Sequence, residues 1–399
     1  MKPGWSVQAL ASLAEVFTDG DWIESKDQSD RGIRLVQTGN IGEGVFKDRE
    51  SKARYIDEET FDRLRCSEIV PGDCLISRLP DPVGRACLIP ETGQKMITAV
   101  DCSIVRFKSG LMSPEFFVYF SQSQEYLSAV SQACTGTTRS RISRSNLGQI
   151  AVPLPPLDEQ RRIVTLLDEA FEGLARAREN AEANLQNARE LFTGTIHAEF
   201  AWIASAPKRK VGDVAVHALG KMLDKNKNKG TPRLYLRNLN VRWFNVDTSD
   251  LLEMRITDTE VERYTVKKGD LLICEGGYPG RCAIWNDGDE MFFQKALHRV
   301  RFEHSVHGRL LMYFLFMADQ NGTLREHFSG AGIQHFTGQA LAKFEMPFPS
   351  EAVAMGVISK IEAMQQRSLE LESMLQQKLR DLDDLRQSLL QKAFAGGLT

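Results

Sequence analysis

The sequence predicts an α+β chain made by internal repetition: two similar mixed α/β domains separated by two long antiparallel helices that form a coiled coil, with a pseudo-two-fold relation between the halves. Three observations carry this. Short β-like runs punctuated by Gly, Pro and Asp fill residues 1–152 and again 204–349. Their motifs recur in the same order, about 200 residues apart. Each domain then passes through a Pro-rich stop into a helical pattern without internal proline, over 153–203 and 350–399.

In the first domain GIRLVQTGNI, CLISRLP, ACLIP and CSIVRF read as strands, because β-branched and apolar residues lie between turn formers. Ser113 to Ala133 reads as one helix, with Pro114 in the first turn, where its missing N–H costs nothing. A polar, basic stretch, TGTTRSRISRSNLGQIAVPLPP, leads into the first Pro block. The second domain repeats this grammar. TPRLYLRNLNV answers GIRLVQTGNI, KGDLLI answers PGDCLI, Pro279-Gly280-Arg281-Cys282 answers Val83-Gly84-Arg85-Ala86, and His298 to Phe302 answers Ser103 to Phe107. Leu310 to Asn321 answers Phe116 to Tyr126, and Met346-Pro347-Phe348-Pro349 answers Val152-Pro153-Leu154-Pro155.

Both helical stretches carry apolar residues at three-four spacing for four or more heptads, which marks a coiled coil. The first seam is Val164, Leu167, Phe171, Leu174, Arg178, Ala181, Leu185, Ala188 and Phe192. The second is Val357, Ile361, Met364, Ser368, Leu371, Leu375, Lys378, Leu382, Leu385 and Leu389. Arg178, Ser368 and Lys378 interrupt the seams, as polar residues that set register do. Pro155 and Pro156 stop the preceding strand, and Asp158 and Glu159 put negative charge at the positive helix start. Ser350 suits an N-cap and Gly396-Gly397 a helix end, while Thr193-Gly194-Thr195 predicts fraying or a bend. Helices of roughly 40 residues would span about 60 Å.

At 399 residues, 42% hydrophobic and 26% charged, the chain has room for two cores and no case for disorder. Seven scattered cysteines, never in Cys-x-x-Cys, predict reduced structural thiols. His304 and His307 lack a third ligand nearby and read as surface histidines. With no apolar run of signal or membrane-spanning length, a cytoplasmic location and no membrane partner are expected. The net charge of −3 averages over a divided chain. Residues 208–245 hold ten Lys and Arg against Asp213 and Asp224, whereas the first helix is acidic on balance. No amino-methyltransferase, Walker A, nucleophile-elbow or metal-ligand pattern occurs, and Gly276 to Gly280 reads as a tight turn. Neither a catalytic residue nor a cofactor of the chain's own is expected.

If the two helices pair antiparallel, the domains preceding them are related by about half a turn. Duplex DNA relates its strands in the same way, so each domain could read one part of a split site. Four stretches sharpen this. VPLPPLDEQRRIV (152–164), LRQSLLQKAFAGGL (385–398), GTTRSRISRSNL before the first Pro block, and GDWIESKDQSDRGIRLVQTGNIGEG (20–44) resemble, in order, the specificity subunit of type I restriction-modification systems. The resemblance implies two target-recognition domains (1–152 and 204–349), a central spacer helix (153–203) and a C-terminal spacer helix (350–399). It also implies a bipartite double-stranded DNA target whose gap the helices set. Its implied partners are two DNA-methyltransferase (modification) subunits, which carry the S-adenosylmethionine chemistry, and restriction/translocase subunits, which bring ATP and Mg. The second Pro block, MPFPSEAVAMGVI, lacks the Glu159-Gln160-x-x-Ile163 pattern of the first, so different packing is expected there.

Candidate DNA contacts follow from charge and donor type. Arg139, Arg141 and Arg144, with Thr137, Thr138 and Ser143, offer donors to phosphate or guanine, and would equally form a solvated loop. Lys221, Lys225, Lys227, Lys229 and Arg233 form a second basic group or a surface linker, and Lys26 and Arg31 hold the matching place in the first domain. Glu169, Glu172, Arg176, Glu179 and Glu182 fit either a subunit-docking face or a solvated one. Two other readings stay open. One is a coiled-coil scaffold with two protein-binding domains; the other is the specificity chain of a related two-subunit restriction-methylation enzyme.

Overall fold

The protein is described by a computed structural model over residues 3–136, 140–224 and 227–398. Its contacts divide into two units, residues 1–182 with 377–399, and residues 183–376.

In the first unit a strand pair, Ser6–Ala9 against Ala151–Leu154, ties the start of the domain to its end. A four-stranded antiparallel sheet has the order Ala14–Asp19, Cys102–Phe107, Cys74–Ser77, Ala86–Leu88. A mixed sheet adds Tyr55–Ile56, Ile33–Val36, Met96–Thr98 and Glu68–Ile69. The strands expected from sequence are all present. The expected single helix over 113–133 is instead two, Pro114–Phe120 and Gln124–Ala133, because buried Ser123 is extended and its hydroxyl accepts from Tyr126 N, starting a new helix.

The second unit repeats this topology and adds a short pair, Val241–Arg242 with Asn245–Val246, where the first unit has the single bridge Ile41 to Phe46. Lys208–Lys210 pairs with Glu345–Pro347. One sheet is Ala215–Leu219, Leu297–Phe302, Leu271–Cys274, Cys282–Ile284; the other is Leu252–Ile256, Thr231–Leu236, Met291–Phe293, Thr265–Val266. Interior anchors are repeated as well. Asp73, buried, takes two hydrogen bonds from Arg106 at 2.8 Å, and Asp270 takes two from Arg301 at 2.7 and 2.6 Å. Asn40 and Asn240 each accept from the backbone three residues back and donate to a carbonyl seven residues on.

The central helix, Leu157–Trp202, runs without interruption through Thr193-Gly194-Thr195, so the expected fraying is absent; both threonine hydroxyls bond back to helix carbonyls. The C-terminal helix, Glu351–Phe394, ends before Gly396 at φ 79°, with Gly397 N bonded to Lys392 O. Pro153 and Leu154, expected in the helical segment, belong to the terminal strand pair. In each unit one part of the central helix pairs antiparallel with one part of the C-terminal helix. In the first unit Arg178 bonds Asp383, and Arg386 lies over Phe171. In the second, Ser368 Oγ donates to Ala188 O at 2.6 Å, and Lys360 meets Glu199.

The first seam is placed as expected, with Leu167, Ala181 and Ala188 buried and Arg178 turned to Asp383. The second is placed as expected at Val357, Ile361, Met364, Ser368, Leu375, Leu382 and Leu389, whereas Leu371, Lys378 and Leu385 are exposed and Leu379 and Leu390 turn inward beside them. The seven cysteines are free thiols, six of them buried. His307 is buried rather than on the surface, stacked 4.1 Å from Phe348 and bonded to Pro349 O. It takes the part that Gln160 plays in the first unit, where the buried amide joins Ser113 N, Leu111 O and Pro155 O. The missing Glu-Gln motif is thereby replaced by a histidine on a different element.

Candidate nucleic-acid interface

In each unit three loops leave one end of the antiparallel sheet. In the first unit Asp19 and Ser77 end their strands, and Ala86 and Cys102 begin theirs, at this same end. Residues 20–32 and 78–85 emerge there, and with them the loop flanked by Thr135 and Arg141. Gly20 packs so close that a Cβ would lie 2.3 Å from Thr98 O, and Gly220 has the same relation to Gln294 O. The third loop is closed by mutual backbone hydrogen bonds of Thr135 and Arg141, at 2.9 and 3.0 Å. In the second unit Ser329 and His335 close the matching loop at 2.9 and 2.8 Å. This loop is fastened below by Phe336 N to Glu275 O and by His298 Nε2 to Phe336 O, both short. Burial drives the His298 pKa down to about 4, the bond to Phe336 opposing it, so the ring is neutral with Nε2–H donating.

A repeated arginine holds the second loop from inside. Arg85, buried, donates to the carbonyls of Thr38, Ile41, Leu79, Pro80 and Pro82, and its counterpart Arg281 donates to Asn238 O. The tips differ between units. Trp22, 70% exposed, occupies the place of Met222, 61% exposed, and Ile333 is 75% exposed where the first unit has Arg139 in sequence. Fixed bases with variable tips make a rigid, adaptable contact surface.

The basic residues singled out in the sequence fall unevenly. Lys26 is exposed and paired with Glu24, and Arg31 is exposed. Arg141 bonds Asp101 at 3.0 Å beside the third loop, and Arg144 is exposed at the start of the next helix. Arg139 and Lys225, with Thr137 and Thr138, lie outside the described residues. Lys227 and Lys229 are exposed, and Arg233 is half-exposed and paired with Glu290. Lys221 corrects the expectation: it is 6% exposed, with Nζ bonded to Glu260 Oε2 and Arg255 O. That ion pair holds the Glu260 carboxyl down at about 2. Buried and with its charge already met by Glu260, Lys221 is poorly placed for a phosphate. Glu169, Glu172, Arg176, Glu179 and Glu182 are exposed on the central helix, Arg176 pairing with Glu172 and Glu182 with Arg178.

Sequence reasoning missed the loop 329–336 and the apolar tips Trp22, Met222, Tyr278 and Ile333. A signal was present. Gly136 precedes Ser143 by seven residues and Gly330 precedes Thr337 by seven, and both hydroxyls cap the short helix before the repeated Pro block.

Residues 3–184 match the type I restriction modification DNA specificity domain. Across 99% of this chain and 89% of the relative, the sequence is 21% identical to the type I restriction enzyme EcoKI specificity subunit of Escherichia coli (strain K12). The first repeat carries a type I restriction modification DNA specificity domain. The fold of the whole chain is similar to a chain solved in work on complex assembly and conformational transition of the type I R-M system, with TM-score 0.76 and 18% identity over 100% of this chain and 99% of that one. It is also similar to the HsdS subunit from Thermoanaerobacter tengcongensis, with TM-score 0.64 and 17% identity over 100% and 98%. Among the described residues no helix is long and apolar enough to cross a membrane, and no group of metal-ligating side chains occurs.

Proposed function

We propose that each repeat of this specificity chain reads one part of a bipartite DNA target, and that the chain supplies address while partner subunits supply chemistry. The observation that carries this reading is the contrast between anchors and tips. Asp73–Arg106 and Asp270–Arg301, Asn40 and Asn240, Gly20 and Gly220 recur, while Trp22 becomes Met222 and Arg139 becomes Ile333. One scaffold with two sets of tips suits the reading of two different half-sequences. Exposed Lys26, Arg31, Arg141, Arg144, Lys227 and Lys229 suit phosphate contacts that fix register.

On this reading the chain is non-catalytic and carries no cofactor. Two modification subunits bring S-adenosylmethionine, restriction subunits bring ATP and Mg, and all work in the cytoplasm. The exposed charges Glu169, Glu172, Arg176, Glu179 and Glu182 form part of the docking face, and the long helices set the gap between half-sites. The test is to sequence methylated sites in cells expressing the system. A two-part motif with a fixed gap and one modified adenine per strand is expected; a continuous palindrome would overturn the reading.

A further inference from the structure

The internal repeat exposes a place where one half fills itself and the other does not. The hairpin after Asn40 and the hairpin after Asn240 are bonded alike: Gly44 N donates to Ala86 O, and Phe244 N donates to Cys282 O at the matching strand start. Both residues have positive φ, 83° and 68°. In the second unit the Phe244 ring stacks on Tyr313 at 5.2 Å and meets Phe316 at 4.8 Å and Phe192 at 5.7 Å, with Trp243 on Phe316. Position for position, the first unit has Gly44 for Phe244, Glu43 for Trp243, Tyr119 for Tyr313, Gln122 for Phe316 and Arg386 for Phe192. Only the tyrosine is kept.

Where the rings are gone a cleft of about 540 Å³ opens, walled by Val45, Phe46, Leu88, Val118 and Phe171. The matching cleft of the second unit is about 380 Å³, and Phe244 is part of its wall. The first cleft is the larger of the two, and it lacks the rings of Phe244 and Phe316 that the second unit packs there. Arg386 reaches into the first cleft, bonded to Gln122 and 4.6 Å from the centre of the Phe171 ring. Glu43, Glu115 and Asp168 line the same cleft, so its charge is negative on balance. An occupant that matches both features presents a flat apolar ring with a cation beside it.

We infer that this cleft of the first unit receives an aromatic side chain, flanked by a basic residue, from the modification subunit. The partner's identity rests on the proposed function; the ring-sized space and its charge do not. The second unit, with its own Phe244 in place, offers no such socket, so the two units hold their partners differently. A buried aromatic anchor in a fitted pocket is the kind of contact that dominates an interface.

The repeat itself supplies the test. Gly44→Phe puts the missing ring back at a backbone position where Phe244 shows the conformation is tolerated; its Cβ would lie 2.5 Å from Nε2 of buried Gln122, whose amide must turn away from Val118 O and Arg386. Gln122→Phe copies Phe316 without touching the backbone; because it takes the acceptor from Arg386, it is made both alone and together with Gly44→Phe, and only variants that melt as folded chains are scored. Full-length chain and variants are titrated with the modification subunit of the same operon by calorimetry, with DNA affinity and melting temperature measured in parallel. Each variant is expected to bind one of its two copies of that subunit at least about tenfold more weakly, with the other copy's affinity and DNA affinity unchanged. Assembly of the folded variants at the wild-type affinity overturns the inference and leaves the proposed function standing. Failure of the wild-type chain itself to bind the subunit overturns both.

Discussion

Replacing His298 by Gln tests whether the base of the third loop is held by a neutral, buried imidazole. In the native chain the ring is fully buried, Nε2 is 2.9 Å from Phe336 O, and Nδ1 has no partner among the described residues. Burial lowers its pKa to about 4, and His217 across the sheet adds to the effect. An unfolded histidine titrates near 6.5. Above about pH 7.5 neither state binds the proton, and the stability is fully present. As pH falls through 6.5 the unfolded chain takes a proton that the native state refuses, so stability declines until about pH 4. The full span corresponds to roughly 3 kcal/mol, of which about 2 kcal/mol is lost by pH 5. For a unit of this size that is a melting shift of about 4–8 °C. A glutamine at this position can still donate to Phe336 O but cannot titrate. Urea unfolding of the full chain, followed by hydrogen exchange of the 297–302 and 333–336 segments at pH 7.5 and 5.0, should show the wild type losing about 2 kcal/mol more than the variant. Equal losses in both chains would refute the argument.

Asp73→Ala should cost about 2–3 kcal/mol, since it removes two charge-assisted bonds and leaves Val70 N without its acceptor, while Arg106, 38% exposed, can turn to water. Asp270→Ala should do the same in the second unit; urea midpoints check both, and a loss under about 0.5 kcal/mol in either would contradict the anchoring role. Lys221→Met should lower stability by about 1.5–3 kcal/mol through the stranded Glu260 but leave the salt dependence of DNA binding unchanged. Replacing Lys225, Lys227 and Lys229 by Ala should instead leave melting nearly unchanged. It should reduce the salt slope by about one for each phosphate these lysines no longer neutralise, as read by binding isotherms across salt.

The repeat was legible because the residues that anchor it do local work. Asp in PGD and KGD accepts a backbone N–H three residues before it as well as an arginine, and Asn40 and Asn240 close the same turn. The requirement is backbone geometry, so the residue type survives while side chains around it change. The long helices were legible from periodicity, yet the phase of the second was only partly so. Leu371, Leu375, Leu379, Leu382 and Leu385 offer two overlapping stripes, and only the packing of the facing helix separates half-buried Leu375, Leu379 and Leu382 from exposed Leu371 and Leu385. The burial of Lys221 was hidden for a similar reason. Nothing in GKMLDKNK distinguishes a solvated lysine from one buried against Glu260, which lies 39 residues away. The loop 329–336 was hidden because its tip shares almost no residue types with 135–142 and keeps only a glycine and a capping hydroxyl.

The exchanges between the repeats follow a pattern. Where a pair of groups fixes backbone, both halves keep it; where groups only fill space, the halves diverge, and they do so in concert. Gly44, Gln122 and Arg386 stand on a hairpin, a helix end of the domain and the C-terminal helix, and all three differ in size or charge from Phe244, Phe316 and Phe192. A single ring removed from such a cluster would leave a cavity costing about 3–5 kcal/mol. In the first unit the charge of Arg386 is met instead by Gln122 and by the face of Phe171, so the site is an open, polar-edged cleft rather than a defect. Concerted change is therefore what stability alone demands after duplication. It follows that Gln122→Phe without Gly44→Phe should destabilise the first unit, because Arg386 loses its hydrogen-bond acceptor. The double variant should recover part of that loss, by a coupling of about 0.5–3 kcal/mol.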